Sequence, residues 1–454
     1  MDLLIGNVLA NAARVAPSAL AATLGDQRIT FADLDDASNR MARALAAAGV
    51  GHGDRVVWWG DTTLDALPLF GGLARLGAVF APLNAHFGPD EAVPVVEHAT
   101  PRLLVTDAAH RDLGAAVAGA TGVAIAQLGP GSGTDLDRKA RDAAPDSVVT
   151  PGLRETDPHV VFFTSGSSGA PKGVVLSHRA NWLRTAAAAT TTSGGRGVVC
   201  MFPLFHMAGW TIALGAWQAR RAVHFVATPD APTLLATTER ERAARLYCIP
   251  AVWSRIVEHG VAGYDLTALE EADTGTSATP PELLAAIKAA LPHTVTRVFY
   301  GSTEAGPGVQ LGDADLFRKP GSVGVAQPGV EVRVADDGEV CLRSPYLFDG
   351  YLDDPDATAA ALVDGWYRTG DRGVLDTDGY LSITGRIREV IRTGGETVAP
   401  GEVEAVLGTH PALAEVAVVG VPDPTWGEVV TAVVVLRPGA PSPTLDDLRD
   451  HCTG

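Results

Sequence analysis

Residues 164–178, TSGSSGAPKGVVLSH, combine the residue types of an anion-binding loop. Glycines let the backbone turn so that several N–H groups converge, serine hydroxyls add donors, and Lys172 adds a positive charge. These donors predict a loop that binds a polyphosphate. The spacing fits neither G-x-x-x-x-G-K-[ST] nor G-x-G-x-x-G, so the loop is neither a P-loop nor a Rossmann fingerprint. Taken alone, an exposed hairpin without a ligand is the alternative interpretation.

Further polar segments interrupt the apolar runs of the chain. They are PLFHMAG (203–209), DTGTSATPPEL (273–283), YGSTEAG (300–306) and WYRTGDRG (366–373). In isolation the first is as well explained by a core histidine, the second by a turn before a helix, and the last by a turn aspartate. The third follows a predicted strand, and ligands of open α/β sheets collect at the carboxyl ends of strands.

Alternating helices and strands must position these segments. Residues 30–49 predict an amphipathic helix with Thr30 as its N-cap, and residues 55–59 predict the strand that follows. Further apolar strands are predicted at 160–164, 198–202, 223–227 and 297–301. Apolar strands separated by helices indicate an α/β domain whose largely parallel sheets are covered on both faces. The polyphosphate loop then forms a turn between strands at 160–164 and 174–176.

The chain changes character after residue 324. Short alternating strands with Asp337-Gly338 and Asp378-Gly379 turns predict a small antiparallel β-barrel or sheet. From about residue 387 a helix and apolar strands predict a small α+β domain that is incomplete. We therefore expect an N-terminal domain over 1–386 and a partial C-terminal domain over 387–454.

Composition narrows the class of protein. The chain has 454 residues and a net charge of −18, so it has no basic field to attract nucleic acid, and an anionic ligand needs a local basic pocket. The four cysteines show no C-x-x-C, and the N-terminus has no signal-peptide pattern. No apolar run reaches the roughly 18 residues of a membrane helix. We expect a cytoplasmic protein without stable membrane insertion, and a homodimer is left open.

The extended segment FFTSGSSGAPKGVVLSH resembles the signature T-S-G-[ST]-[ST]-G-x-P-K-G-V of the adenylate-forming superfamily. The other polar segments follow in the order found in that family, over nearly the whole chain. KPGSVG (319–324) and VPDPTWGE (421–428) are more similar to acyl- and aryl-CoA ligases than to amino-acid-activating domains.

The resemblance implies a nucleotide site. Small residues at 275–277 would lie against adenine, and Tyr300 would pack along it. Glu304 would bind Mg²⁺, for which one carboxylate with phosphate oxygens suffices, and Asp371 would accept from both ribose hydroxyls. The implied nucleotide-binding residues are Thr164, Ser165, Gly166, Ser167, Ser168, Gly169, Lys172, Gly275, Thr276, Ser277, Tyr300, Gly301, Ser302, Thr303, Asp371 and Arg386.

The resemblance also implies catalytic, acyl-binding and CoA-binding positions. His206 would stand beside the substrate carboxylate as a gate or positioner. The implied catalytic residues are Lys172, His206, Thr303, Glu304 and Arg386. The implied acyl pocket contains His206, Trp210 and Gly301, the hinge residue is Arg388, and Gly394 and Gly395 line the CoA tunnel.

The family reaction joins an acid to a thiol in two steps. A carboxylate attacks the α-phosphorus of ATP, pyrophosphate leaves, and CoA then attacks the acyl-AMP. We expect ATP, Mg²⁺ and CoA as cofactors and a medium, long or bulky apolar acid as substrate, because no Arg or Lys stands ready for a second carboxylate. Catalysis of this kind depends mainly on positioning and charge neutralisation.

One departure from the family pattern lies at the end of the chain. A late P-R-T-x-x-G-K motif, whose lysine bridges the acyl carboxylate and the α-phosphate, is not found before residue 454. We expect the sequence to be a truncation. If the protein lacks the lysine, it would only convert a supplied acyl-AMP to the thioester.

The sequence leaves three other functions open. They are a stand-alone acyl-AMP ligase, a luciferase-like oxygenase, and a non-catalytic protein that binds nucleotide or acyl-adenylate. Release of AMP that depends on CoA distinguishes a CoA ligase from a stand-alone acyl-AMP ligase. Consumption of oxygen would identify an oxygenase, and exchange of pyrophosphate would exclude a non-catalytic protein. The presence of Lys172, Glu304 and Asp371 argues against the non-catalytic alternative.

Overall fold

The computed structural model describes residues 2–129, 135–164, 171–191, 196–387, 391–393, 396–398, 400–423 and 426–453. The chain divides into two compact units, one of residues 1–331 with 343–367 and one of residues 332–342 with 368–454. The division falls inside a strand, before residue 368, whereas the sequence-based domain boundary at 386 remains a prediction of where a hinge lies.

Helices and strands alternate through the first unit. Up to the polyphosphate loop the elements are α1 (Ile5–Val15), β1 (Leu20–Leu24), β2 (Gln27–Thr30), α2 (Phe31–Ala47), β3 (Arg55–Trp59), α3 (Ala66–Leu76), β4 (Val79–Pro82), α4 (Pro89–Ala99), β5 (Leu103–Thr106), α5 (Arg111–Thr121), β6 (Ile125–Gln127), α6 (Asp135–Asp142) and β7 (Pro158–Thr164). After the loop come β8 (Lys172–Ser177), α7 (His178–Thr191), β9 (Val198–Cys200), α8 (Met207–Gln218), β10 (Val223–Phe225), α9 (Ala231–Arg240), β11 (Arg245–Tyr247), α10 (Pro250–His259), β12 (Glu271–Gly275), α11 (Pro281–Ala290), β13 (Val295–Ser302), β14 (Gly306–Leu311), a 3₁₀ turn (Asp313–Asp315) and β15 (Val325–Ala326).

The remaining elements follow residue 330. They are β16 (Glu331–Val334), β17 (Glu339–Arg343), β18 (Gly350–Tyr351), α12 (Pro355–Ala361), β19 (Leu362–Val363), β20 (Trp366–Leu375), β21 (Leu381–Arg386), β22 (Ile391–Thr393), β23 (Glu396–Val398), α13 (Pro400–Leu407), β24 (Leu413–Asp423), β25 (Gly427–Leu436) and α14 (Leu445–Thr453).

Two large, mostly parallel sheets form the centre of the first unit, as the alternation predicts. One has the order β18-β8-β7-β4-β3-β5-β6, in which β8 and β18 are antiparallel to their neighbours. The other has the order β15-β14-β13-β12-β11-β9-β10-β1-β2 and is parallel from β13 to β1. Strands β4 and β5 are buried along their whole length, as expected where helices cover both faces.

Local sequence explains how individual elements begin. Helix α2 starts where predicted, because the Thr30 side chain accepts a hydrogen bond from the Asp33 amide. Phe31, Leu34 and Leu45 of this helix are buried. The apolar face of α2 therefore packs in the hydrophobic core, and the capped N-terminus of the helix follows directly on the last residue of β2.

The carboxyl edge of the nine-stranded sheet collects the predicted site segments. Neighbouring parallel strands β9, β11, β12 and β13 end at Cys200, Tyr247, Gly275 and Ser302. The segments that follow β9, β12 and β13 are the ones that carry His206, the 275–277 turn and the 300–306 turn. The order of strands therefore places these segments side by side along one edge.

The second unit is built of antiparallel strands, as predicted after residue 324. Strand β20 pairs β21, and β24 pairs β25 along almost their full lengths. The predicted turns form at Gly338 and Gly379, which have φ of +82° and +83°. Ile391, Leu407, Leu413 and Val418 form a small core near the C-terminus.

No helix in the described part of the chain is both long enough and apolar enough to span a bilayer.

Two buried histidines pack together in the first unit, His159 on β7 and His178 at the start of α7. The rings of His159 and His178 are 4.6 Å apart, and both residues have 0% exposure. The Ile5 amide donates to Nδ1 of His178 at 3.2 Å. Burial lowers the pKa of His178 to about 4, although the nearby Asp157 carboxylate opposes this shift. Burial also lowers the pKa of His159, and the neighbouring His178 adds to that decrease. Both imidazoles are therefore neutral in the native protein.

This pair predicts a loss of stability in mild acid. The folded pKa of His178 is below its usual 6.5, so the unfolded chain binds more protons between pH 6.5 and 4, and stability falls as the pH drops through that window. Between pH 7.5 and 5, His178 should contribute a decrease of about 2 kcal/mol in the free energy of unfolding. Urea unfolding of wild type and His178→Asn at both pH values measures it. If the free energy of unfolding decreased equally in the two proteins, protonation of His178 would not be the cause of the lost stability.

Candidate nucleotide and acyl site

The polyphosphate loop joins the antiparallel strands β7 and β8. Thr164 and Lys172 are register partners, and the Thr164 hydroxyl lies 3.5 Å from the Lys172 carbonyl oxygen. Ser165, Gly166, Ser167, Ser168 and Gly169 lie outside the described residues. The strands thus bring the two ends of the loop together, and Lys172 starts β8.

Lys172 lies over the ring of Tyr351, whose hydroxyl is bonded to the carboxylate of Glu304. Its Nζ lies 4.8 Å from the centroid of the Tyr351 ring. The Tyr351 hydroxyl donates a hydrogen bond to Oε1 of Glu304 at 3.0 Å. The predicted phosphate-binding lysine and the predicted magnesium ligand are therefore connected by one tyrosine.

Sequence reasoning missed Tyr351. It is 47 positions from Glu304 along the chain, and the segment around it contains no motif that we interpreted. It reaches the site because β18 pairs with β8, with Tyr351 opposite Val174. Only the pairing of strands distant in sequence could reveal it.

The 300–306 segment is a tight turn between β13 and β14. The two strands are antiparallel, and their register shifts between Tyr300 and Gly301. A Cβ atom at Gly301 would lie 2.0 Å from the Gly306 carbonyl oxygen, so only glycine fits there. The Ala305 amide donates to the Ser302 hydroxyl, and the Phe348 amide donates to the Glu304 carbonyl at 2.8 Å. These bonds hold Glu304, which is 9% exposed, in one position.

The 275–277 turn leaves the carboxyl end of β12 beside this segment. Gly275 is the register partner of Phe299, and a Cβ at Gly275 would lie 2.3 Å from the Phe299 carbonyl oxygen. Thr276 has a φ of +71°, which is costly for a β-branched residue and is often found at functional sites. Thr276 and Ser277 are exposed. The turn therefore presents two small exposed residues after β12, the strand that pairs with the strand of Tyr300.

His206 forms the N-terminal cap of α8. Its Nδ1 accepts a hydrogen bond from the Ala208 amide at 3.1 Å, which places the proton of the neutral ring on Nε2. The ring is exposed, yet the surrounding protein lowers its pKa by desolvation. His206 is thus a neutral hydrogen-bond donor at neutral pH, which suits positioning of a carboxylate better than removal of a proton.

Trp210, a predicted residue of the acyl pocket, lies in the core of the first unit. It has 0% exposure, stacks on Phe70 with ring centroids 3.9 Å apart, and donates its indole N–H to the Leu204 carbonyl. The side chain therefore belongs to the core and presents no surface to a ligand. Its place in the acyl pocket was implied by the family resemblance and stays a prediction.

The second unit holds the predicted ribose ligands. Asp371 and Arg386 are register partners in β20 and β21, and Nε of Arg386 lies 3.0 Å from Oδ1 of Asp371. The Asp371 side chain is 12% exposed and that of Arg386 is 61% exposed. Arg388, Gly394 and Gly395, the predicted hinge and tunnel residues, lie outside the described residues.

The chain matches the sequence models of two known domains. The sequence model of AMP-binding enzymes matches residues 9–352, and that of the AMP-binding enzyme C-terminal domain matches residues 402–454. The chain belongs to the AMP-binding enzyme family. This confirms the superfamily predicted from the polyphosphate loop.

Several relatives within the AMP-binding enzymes are CoA ligases. The chain is 33% identical to a feruloyl-CoA synthase of Amycolatopsis sp. over 94% of this chain and 88% of that protein. It is 34% identical to an indoleacetate–CoA ligase of Aromatoleum aromaticum over 92% of this chain and 85% of that protein. The crystal structure of ATP-bound MatB from Rhodopseudomonas palustris superimposes with a TM-score of 0.88 at 28% identity, covering 100% of this chain and 92% of that one.

These similarities establish the reaction class. The protein is an AMP-forming acid–CoA ligase, and it uses ATP, Mg²⁺ and CoA with a small-molecule acid. Glu304 would suit a magnesium ion, because it offers a carboxylate on a backbone that is held by the Phe348 amide. The residues assigned to each ligand remain predictions.

The contact between Tyr351 and Glu304 can be tested by a single substitution. Tyr351→Phe keeps the ring below Lys172 and removes the hydrogen bond to Glu304. Because hydrogen bonds to charged groups contribute about 1.5–3 kcal/mol, we expect a decrease of roughly 10- to 150-fold in kcat/KM for MgATP. Steady-state kinetics measures the decrease.

A matched control is Tyr264→Phe, which removes the hydroxyl that contacts His259 at an exposed position. It should change neither kinetic constant. If Tyr351→Phe also behaves as wild type, Tyr351 does not position Glu304.

Proposed function

We propose that this ligase activates an apolar carboxylic acid, with a bulky or aromatic group, to acyl-AMP and transfers the acyl group to CoA. One observation carries the proposal. A row of aromatic side chains connects His206 with the 275–277 turn in the first unit. The acid would lie along this row with its carboxylate beside His206.

The aromatic row consists of Phe202, Tyr247 and Phe299. Ring centroids are 5.7 Å apart for Phe202 and His206, 5.3 Å for Phe202 and Tyr247, and 5.7 Å for Tyr247 and Phe299. A Cβ at Gly275 would lie 2.8 Å from the Tyr247 hydroxyl, so the row passes directly beside the turn. Tyr247 and Phe299 are only partly buried. Aromatic faces of this kind favour apolar and especially planar groups.

Charges behind this row are compensated. Arg297 binds Asp273 through Nε at 2.9 Å and Glu271 through Nη2 at 2.5 Å. Arg245 binds Asp273 through Nε at 2.6 Å. Two arginines are thus matched by two carboxylates, and neither offers an uncompensated charge for a second carboxylate on the substrate. This supports an apolar acid over a dicarboxylic acid.

The names of the relatives support the same class of substrate. Ferulate and indoleacetate, the acids in the names of two of the relatives given above, are aromatic acids.

The chemistry follows from the positions of the side chains. The neutral Nε2–H of His206 donates to the substrate carboxylate and orients it. Lys172 and the loop hold the phosphates of ATP while a carboxylate oxygen attacks the α-phosphorus. The bond to the leaving oxygen breaks and pyrophosphate departs with its charge. The thiolate of CoA then attacks the acyl carbonyl, and AMP leaves.

Magnesium would be held by Glu304, and when bound it neutralises phosphate charge. Asp371 would accept hydrogen bonds from the two ribose hydroxyls, with Arg386 beside it. A cytoplasmic location belongs to this proposal as well, because ATP and CoA are substrates made inside the cell.

A panel of acids tests the proposal. Full-length protein is assayed for acid-dependent pyrophosphate exchange and for CoA-dependent release of AMP. We expect aryl and bulky alkyl acids to give the highest kcat/KM. A best rate with malonate or an amino acid would overturn the substrate class, and AMP release that is independent of CoA would favour a stand-alone acyl-AMP ligase.

The ribose contact predicts a loss of nucleotide affinity in Asp371→Ala. Removal of a carboxylate that accepts two hydrogen bonds should weaken binding of ATP or a stable acyl-AMP analogue by about 2–3 kcal/mol. Isothermal titration calorimetry measures the Kd. Asp337→Ala, which removes an exposed carboxylate that contacts Arg368, is the matched control and should bind normally. An unchanged Kd in Asp371→Ala would refute the role.

A further inference from the structure

Arg184 is a fully buried arginine that the sequence motifs did not single out. It lies on α7 and has 0% exposure. Nη1 donates to the Thr303 carbonyl at 2.9 Å and contacts Sδ of Met207 at 3.0 Å. Nη2 donates to the Tyr346 carbonyl at 2.8 Å. One guanidinium therefore contacts three segments that are far apart in the chain.

Each of these segments carries a side chain of the candidate site. Thr303 precedes Glu304, and Met207 follows His206. Tyr346 lies in the loop that leads into β18, the strand of Tyr351. Gly306, with a φ of +67°, closes the turn against the guanidinium, and a Cβ there would lie 3.4 Å from Nε of Arg184. The turn is thus folded directly onto the Arg184 side chain.

The charge of Arg184 has no carboxylate partner within ion-pair distance among the described residues. Its acceptors are two carbonyl oxygens and a thioether, and its Nε has no hydrogen-bond partner there. Burial lowers its pKa to about 10, so the group remains charged at neutral pH. A buried and unpaired charge is costly. In contrast, the buried Arg297 is matched by Asp273 and Glu271.

An anion that binds nearby would stabilise a buried cation of this kind. Glu304 and Asp349 exert a longer-range attraction on the guanidinium. Electrostatic interactions are strong in a site from which water is excluded. In a protein with a net charge of −18, a buried cation behind the turn would favour a bound polyphosphate.

We propose that Arg184 is a positioning residue that fixes the Thr303–Glu304 turn and supplies buried positive charge for the anionic nucleotide. The proposal rests on the proposed function, because the nucleotide is assigned to this turn there. Arg184 acts through the backbone and through its field, and it does not touch the substrate.

Two neutral variants and one charged variant test the proposal. Arg184→Met removes charge and donors, Arg184→Gln keeps a donor, and Arg184→Lys keeps the charge. Binding of ATP is measured by calorimetry with EDTA present, so that no metal and no turnover contribute. We expect the neutral variants to bind ATP about tenfold or more weakly, and Arg184→Lys to recover most of the affinity. Hydrogen–deuterium exchange of a peptide spanning 302–306 should be faster in the neutral variants.

Arg75→Met is the matched control for loss of a buried arginine. Arg75 is 6% exposed and pairs with Asp35 between α2 and α3. This variant should lower the Tm but leave ATP affinity and exchange at 302–306 unchanged. If Arg184→Met does not fold, the ATP affinities of Arg184→Gln and Arg184→Lys are compared to show whether the positive charge matters for binding.

Two results would overturn the proposal. One is a folded neutral variant with wild-type ATP affinity, and the other is Arg184→Lys binding no better than Arg184→Gln. Wild-type protein that fails to bind ATP would instead refute the proposed function. In that case the exchange of the 302–306 peptide still reports whether Arg184 positions the turn.

Discussion

The hydrogen bond from Tyr351 to Glu304 is the contact on which the described site depends. It joins the two sheets of the first unit, because Glu304 follows β13 of one sheet and Tyr351 lies on β18 of the other. Lys172 lies over the same tyrosine ring. A loop from one sheet and a turn from the other can therefore act on one ligand. The strand pairing of β18 with β8 is the constraint that makes this possible.

Charge is distributed in two different ways around these strands. Behind the aromatic row, Arg245 and Arg297 are neutralised by Asp273 and Glu271, which leaves an apolar surface with rigid support. Beneath the 300–306 turn, Arg184 contacts only neutral acceptors. Under the proposed function, the acyl group would lie against the first arrangement and the phosphates of the nucleotide near the second.

Sequence reasoning succeeded where short-range rules apply. The helix that starts after Thr30, the parallel sheets and the Gly338 and Gly379 turns were predicted from periodicity and local residue preferences. It did not foresee that Trp210, which the family resemblance assigns to the acyl pocket, is fully buried, because burial on a helix depends on the neighbouring elements. The 300–306 turn connects two strands, and the pairing of β14 with β13 is not visible in the local pattern.

The sequence by itself determined the family and the reaction class, because the polyphosphate loop and the later segments are local patterns with distinctive residues. It also determined which positions carry carboxylates, hydroxyls and Lys172. Only the tertiary structure decided that Tyr351 meets Glu304 and that Arg184 lies behind the turn. These residues come together through strand pairing and burial over separations of 47 and 119 positions. Contacts at such separations depend on the whole fold, and no local pattern encodes them.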